Sequence, residues 1–211
     1  DVTEALTLDA AGKTAEAIAR LEALAETLDG EAHYHFLLAG LLDKDARRLD
    51  ALQHALRALA LDPRYAGEAG LHELAQQGLL EPSTVASAAL LLERVLDAPL
   101  AESLVRFILE HTRSVTTPRR VRDLLAGLGL LDTVPERFRL PLLVITDEEC
   151  EVRKALLAEI AARPDAGMAP YLARFKAESG CGSNRRRDCW PCERVALREA
   201  LAAVDAAAAG E

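Results

Sequence analysis

The sequence predicts an all-α chain built as a right-handed solenoid of helical hairpins. Three observations lead there. Every strong hydrophobic periodicity lies near 3.6 residues, and no segment alternates cleanly between apolar and polar. Half of the 211 residues are hydrophobic but only 4% are aromatic, with Ala and Leu dominant, which suits close-packed helices better than a β-sandwich. Two successive helical pairs near the start superpose with a period of 34 residues.

Leu6, Leu8, Ala17, Ile18, Leu21, Leu24 and Leu28 carry the first apolar face, interrupted by Gly12-Lys13-Thr14. Thr14 is placed to cap a helix running from Ala15 to Leu28, which Asp29-Gly30 ends. A helix from His33 to Leu42, a turn at Asp43-Lys44-Asp45 and a helix from Arg48 to Leu61 make the second pair, closed by Asp62-Pro63. At the 34-residue shift Ala17 falls on Ala51, Ile18 on Leu52 and Leu24 on Ala58.

With Glu16-Ala17-Ile18 opening a second helix and Ala58-Leu59-Ala60-Leu61-Asp62-Pro63 ending one, the pattern resembles the tetratricopeptide repeat, a helix–turn–helix unit of ~34 residues. His35 replaces the usual aromatic of the first helix. The third unit, from Arg64, has Gly67 and Gly70 where helix should be strongest. Two units and a decayed third cover residues 1–78. The resemblance implies a scaffold that binds a protein or peptide in a groove lined by the first helix of each hairpin. In the clearest unit those residues are His33, Phe36, Gly40 and Asp43.

After Gly78-Leu79-Leu80-Glu81-Pro82 the pattern changes, and residues 79–211 read as a second region. Ser83 caps a helix to Leu96, Pro99 starts one to about Thr112, and Thr117-Pro118 starts one from Arg119 to Leu128 that stops at Gly129. Pro135 opens a fourth, through Phe138, Leu142, Leu143 and Ile145. Asp147 caps a fifth, to Ala162, ahead of a turn at Arg163-Pro164-Asp165. A sixth runs from Gly167 to Glu178 and a seventh from about Cys192 to Ala207. These hairpins of irregular length resemble HEAT-type arrays.

The run Leu140 to Val204 carries Asp147, Cys150, Arg153, Arg163-Pro164-Asp165, Pro170, Leu172, Cys181, Cys189, Cys192 and Leu197. In this it resembles a C-terminal region of large Ser/Thr protein kinases and repeat proteins of myxobacteria. The resemblance implies a regulatory or docking segment of a larger bacterial signalling protein. It implies no kinase activity here, because the sequence holds neither a Gly-rich phosphate loop nor a His-Arg-Asp catalytic loop.

Cys150 and Cys192 are each followed by Glu, each opens a helical pattern, and they lie 42 residues apart, within the ~40–47-residue HEAT period. Equivalent positions of successive hairpins meet at one end of a stack. The four cysteines, Cys150, Cys181, Cys189 and Cys192, are therefore expected to converge, with a long-range link from Cys150 or Cys181 to the Cys189/Cys192 pair. Four chemistries remain open. One or two disulfides would need an oxidising compartment. A structural zinc site would use Cys189-x-x-Cys192 as its close pair. Cys189-Trp190-Pro191-Cys192 resembles the Cys-x-Pro-Cys of thioredoxin-like redox proteins, but without their β-strand context. Buried free thiols would carry no chemistry.

Arg119, Arg120 and Arg122 are a candidate dock for an acidic peptide or phosphate, set against a solvated helix end. Glu148, Glu149 and Glu151 sit in a first helical turn, where they complement the helix dipole. His33 and His35, two residues apart, point to different sides of their helix and cannot share a ligand. No catalytic constellation is visible, so the reading is non-enzymatic. A net charge of −9 argues against general affinity for nucleic acid or acidic membranes. No apolar run approaches the ~20 residues of a membrane span. The chain starts at Asp1 without Met, as expected of a processed form or a piece of something longer. The compartment stays open: cytoplasmic, or periplasmic or extracellular if the cysteines are oxidised.

Overall fold

The computed structural model describes residues 1–176, 188 and 190–210, and these are helical with no strand among them. The end of the helix expected to reach Glu178, and Cys181 and Cys189, lie outside the described residues. The chain divides into two compact units, Asp1–Asp97 and Ala98–Glu211. The change of pattern expected at 78/79 falls inside the first of them.

In the first unit α1 (Val2–Ala10) pairs with α2 (Thr14–Glu22), and a short α3 (Ala25–Leu28) follows. α4 (Ala32–Lys44) pairs with α5 (Arg48–Leu61), and α6 (Ala69–Gly78) with α7 (Val85–Val95). Between hairpins, α2 packs on α4, and α5 packs on both α6 and α7. The helix expected as Ala15 to Leu28 breaks at Ala23-Leu24, giving α2 and α3. Thr14 is the first helical residue rather than the cap, and its hydroxyl donates to Asp9 (2.9 Å) across the α1–α2 turn.

The 34-residue superposition has a packing counterpart. Ala17 and Ala51 are fully buried, and Ile18 and Leu52 nearly or fully so. Leu24, set against the buried Ala58, is only half-buried. The turn between α4 and α5 lies at Asp45–Arg47, later than expected. Ala46 there takes φ +60°, and the Arg47 N–H reaches back to the Leu42 carbonyl (2.9 Å), as in a helix-ending Schellman motif. Thr84, not Ser83, precedes α7; it is buried, and its hydroxyl donates to the Gly78 carbonyl (2.7 Å) at the end of α6.

The second unit contains α8 (Ala98–His111), α9 (Thr116–Gly127), α10 (Glu136–Thr146), α11 (Cys150–Ala162), the short α12 (Ala169–Leu172) and α13 (Arg194–Ala209). α8 packs on α9 and α10, α10 on α9 and α11, and α11 on α13. The helix expected from Gly167 is broken into α12 flanked by two 3-10 turns, Ala166–Met168 and Ala173–Phe175. Pro141 lies inside α10 rather than at its start, among the buried residues Leu140 and Leu142. No helix among the described residues is long and apolar enough to cross a membrane.

Candidate functional site

α4 separates its residues cleanly. Tyr34, His35, Leu38, Ala39, Leu41 and Leu42 are buried, and each such Leu contributes roughly 1.5–3 kcal/mol of stability. Phe36, Gly40 and Asp43 follow the i, i+4, i+7 spacing of a single helix face, and all three line a groove of about 370 Å³. Leu6 and Asp9 of α1 form one wall, and Gly70, Leu71 and Leu74 of α6 the other. The groove is thus lined by the first helices of three consecutive hairpins. His33, on the first turn of α4, does not line it; its Nδ1 is hydrogen-bonded to the Tyr65 hydroxyl (3.1 Å), and Tyr65 in turn packs on Phe36.

Charges at the groove are largely paired. Lys44 donates to Asp9 (2.6 Å), which holds the Asp9 carboxyl below its ordinary range, and Arg48 donates to Asp43 (3.1 Å). Glu73 lines the groove and is exposed. The unit as a whole is strongly acidic: residues 1–97 hold 17 Asp and Glu against 8 Lys and Arg, a net charge of −9, whereas residues 98–211 hold 17 of each. The entire net charge of the chain therefore belongs to the unit with the groove.

Two of its glycines differ in physical reason. At Gly78 an added Cβ would lie 2.9 Å from the Ala88 Cβ, so close helix packing demands the missing side chain. At Gly40 nothing lies within 4 Å of an added Cβ. Gly40 is mid-helix, where glycine costs ~1 kcal/mol relative to alanine, and no neighbour needs the space it leaves.

Behind α4, the buried His35 meets the half-buried His54. His35 Nε2–H donates to the Asp29 carbonyl (2.9 Å), which leaves its Nδ1 to accept from His54 Nδ1–H (2.8 Å). Burial, and then the neighbouring His35, depress the His54 pKa. The pair is a part-buried polar contact between α4 and α5.

Two of the three candidate docking arginines have partners within the fold. Arg119 pairs with Glu148 (2.7 Å), and Arg122 pairs with Asp123 (2.7 Å) and also donates to the Thr146 carbonyl. Arg120 is exposed. Of the nearby acids, Glu151 pairs with Lys154 (2.8 Å) on the surface.

At the start of α11, Cys150 is joined to Cys192 in a disulfide, with Cα atoms 6.3 Å apart and the two residues 42 positions apart in sequence. The bond ties the start of α11 to the approach to α13. It occupies the Cys192 sulfur, so the Cys189/Cys192 redox pair is not formed in this state, nor are Cys150 and Cys192 available as zinc ligands. Glu193, 2% exposed, lies under the bond. Its Oε1 pairs with Arg153 Nε (2.5 Å), and its Oε2 lies 2.5 Å from the Cys192 sulfur and 3.8 Å from the Cys150 sulfur. Arg153 also stacks over the Trp190 ring (5.1 Å), which meets Phe175 edge-on. Arg194 donates to Asp188 and to the Phe175 carbonyl (2.8 Å), and this pairing depresses the Asp188 pKa.

Neither a scan against protein-family models nor a search of curated proteins finds a match for this chain.

Proposed function

We propose that the chain is a non-enzymatic helical-repeat scaffold. In this reading the groove of its first unit binds a short peptide or protein segment with an apolar centre and basic flanks. The observation that carries it is Gly40: a mid-helix glycine, open on its outer side, on the floor of an apolar groove. No neighbour needs the space, so the fold has no use for the glycine, whereas a ligand passing close to the α4 backbone does. The apolar lining of Phe36, Leu71 and Leu74 suits an apolar centre, and the net charge of −9 on residues 1–97 suits basic flanks.

The stacking of α2 on α4 and of α5 on α6 and α7 supports a tetratricopeptide-like arrangement for this unit, and its right-handed sense is part of the proposal. HEAT-like packing of the second unit is the counterpart proposal, with the Cys150–Cys192 bond stapling its last two long helices. In its oxidised form the chain belongs to a compartment that permits disulfides, such as the periplasm or the cell exterior.

An array of short peptides with one apolar core tests the binding proposal. Each core is flanked by Lys/Arg in one set and by Asp/Glu in the other. The chain is expected to be retained by basic-flanked members. Equal retention of both sets, or of neither, contradicts the reading.

A further inference from the structure

We propose that reduction of the Cys150–Cys192 bond creates a binding site for a thiophilic divalent metal, zinc in the first instance, held by the Cys150 and Cys192 thiolates and the Glu193 carboxylate. The inference is independent of the peptide groove.

Glu193 lacks a full set of partners in the oxidised chain. Its side chain is nine-tenths or more buried, and one oxygen, Oε1, lies against Arg153 Nε as an ion pair without forming a hydrogen bond to it. The other, Oε2, is directed at both sulfurs, and a disulfide has no proton to donate. A buried carboxylate oxygen facing two sulfurs has a partner only when those sulfurs carry protons or share a cation with it. The three donor atoms lie within 4.8 Å of one another, so a single ion can reach all three. Thiolates and carboxylate are the donor types that zinc takes, at ~2.3 and ~2.1 Å. A tetrahedral ion sets its sulfurs ~3.8 Å apart, which breaking the bond permits.

The charge also balances. In the oxidised state Glu193 and Arg153 cancel. In the metal-bound state Zn²⁺ and two thiolates cancel as well, so the ion adds no net charge to a buried place. A dithiol reductant supplies two electrons and two protons, giving two thiols and its own cyclic disulfide. Zn²⁺ then displaces the two thiol protons, which leave to solvent. Both states tie the start of α11 to the approach to α13, through a covalent bond in one and an ion in the other.

The test is a Co²⁺ titration of the full chain, reduced with a phosphine, followed by the thiolate-to-cobalt charge-transfer band. One equivalent of Co²⁺ should develop the band, excess Zn²⁺ should remove it, and the oxidised chain should show none. Cys150→Ser should abolish it, and Glu193→Gln should weaken Co²⁺ binding by ~10–100-fold. The chain carrying both Cys181→Ser and Cys189→Ser should keep the band. A second measurement needs no variant: Zn²⁺ should slow alkylation of Cys150 and Cys192 in the reduced chain, read by peptide mass spectrometry. A reduced chain that develops no band, a band that survives Cys150→Ser, or alkylation of those two thiols unaffected by Zn²⁺ would each overturn the proposal.

Discussion

Cys150 opens α11, Cys192 stands two residues before α13, and the bond between their sulfurs closes a loop of 42 residues. In the chain-entropy account such a loop contributes about 4 kcal/mol by restricting the unfolded chain. Reduction in the presence of a chelator should therefore lower the melting temperature of the second unit and leave the first unchanged. Thermal unfolding followed with and without reductant checks this; an unshifted transition would show that the bond does not hold the two helices together.

Gly78 reports on how closely α6 meets α7. Gly78→Ala places a Cβ against Ala88 and Leu52, so it should cost ~1–3 kcal/mol even though alanine is the better helix former. Urea unfolding of the variant measures the cost, and a gain in stability would contradict the packing.

Ala51 is fully buried in α5 at the position equivalent to Ala17. Ala51→Leu should overpack the hairpin by ~1–3 kcal/mol. Unchanged denaturation would count against the 34-residue equivalence.

His54 makes the first unit sensitive to mild acid. The His54 pKa is depressed from 6.5 in the folded chain, chiefly by burial. The unfolded chain therefore takes up a proton first as pH falls, and stability declines from about pH 6.5 down to the folded value, where the loss levels off. Tyr34, Glu22, Asp29 and Asp50 surround the pair, and the acidic groups oppose the shift without reversing it. Asp9 and Glu4, held low by Lys44 and Arg20, add their own loss only below their ordinary values of 3.8 and 4.5. Urea midpoints at pH 7 and 5 should differ for the wild type and differ less for His54→Gln; equal differences would remove His54 as the cause.

Much of the helical order is legible in the chain. α5 begins at Arg48 and ends before Asp62-Pro63 as read, because proline there removes any continuation. The break between α2 and α3 is hidden, since Glu22, Ala23 and Leu24 are all good helix formers and no breaker marks it. Whether Ser83 or Thr84 meets the end of α6 depends on burial, which two adjacent hydroxyls do not reveal. The same applies to Glu193. Both cysteines of the disulfide are followed by Glu, but Glu151 faces solvent and Lys154 while Glu193 is turned under the sulfurs toward Arg153. That choice is made by the packing of α13 on α11, which local sequence does not encode. The groove residues of α4 are named through the tetratricopeptide resemblance; Phe36, Gly40 and Asp43 line the groove, while His33 is hydrogen-bonded to Tyr65 instead.

The central claim is that the groove over Gly40 binds a peptide, and one substitution tests it most directly. Gly40→Gln adds a side chain into open space on a helix that prefers glutamine, so the fold should gain up to ~1 kcal/mol while the groove floor is filled. The measurement is fluorescence polarisation of the best basic-flanked array peptide against wild type and Gly40→Gln. The account predicts a binding loss of at least about tenfold, equivalent to ~1.4 kcal/mol, in a variant that melts no lower than wild type. Equal affinity for the two proteins would contradict it.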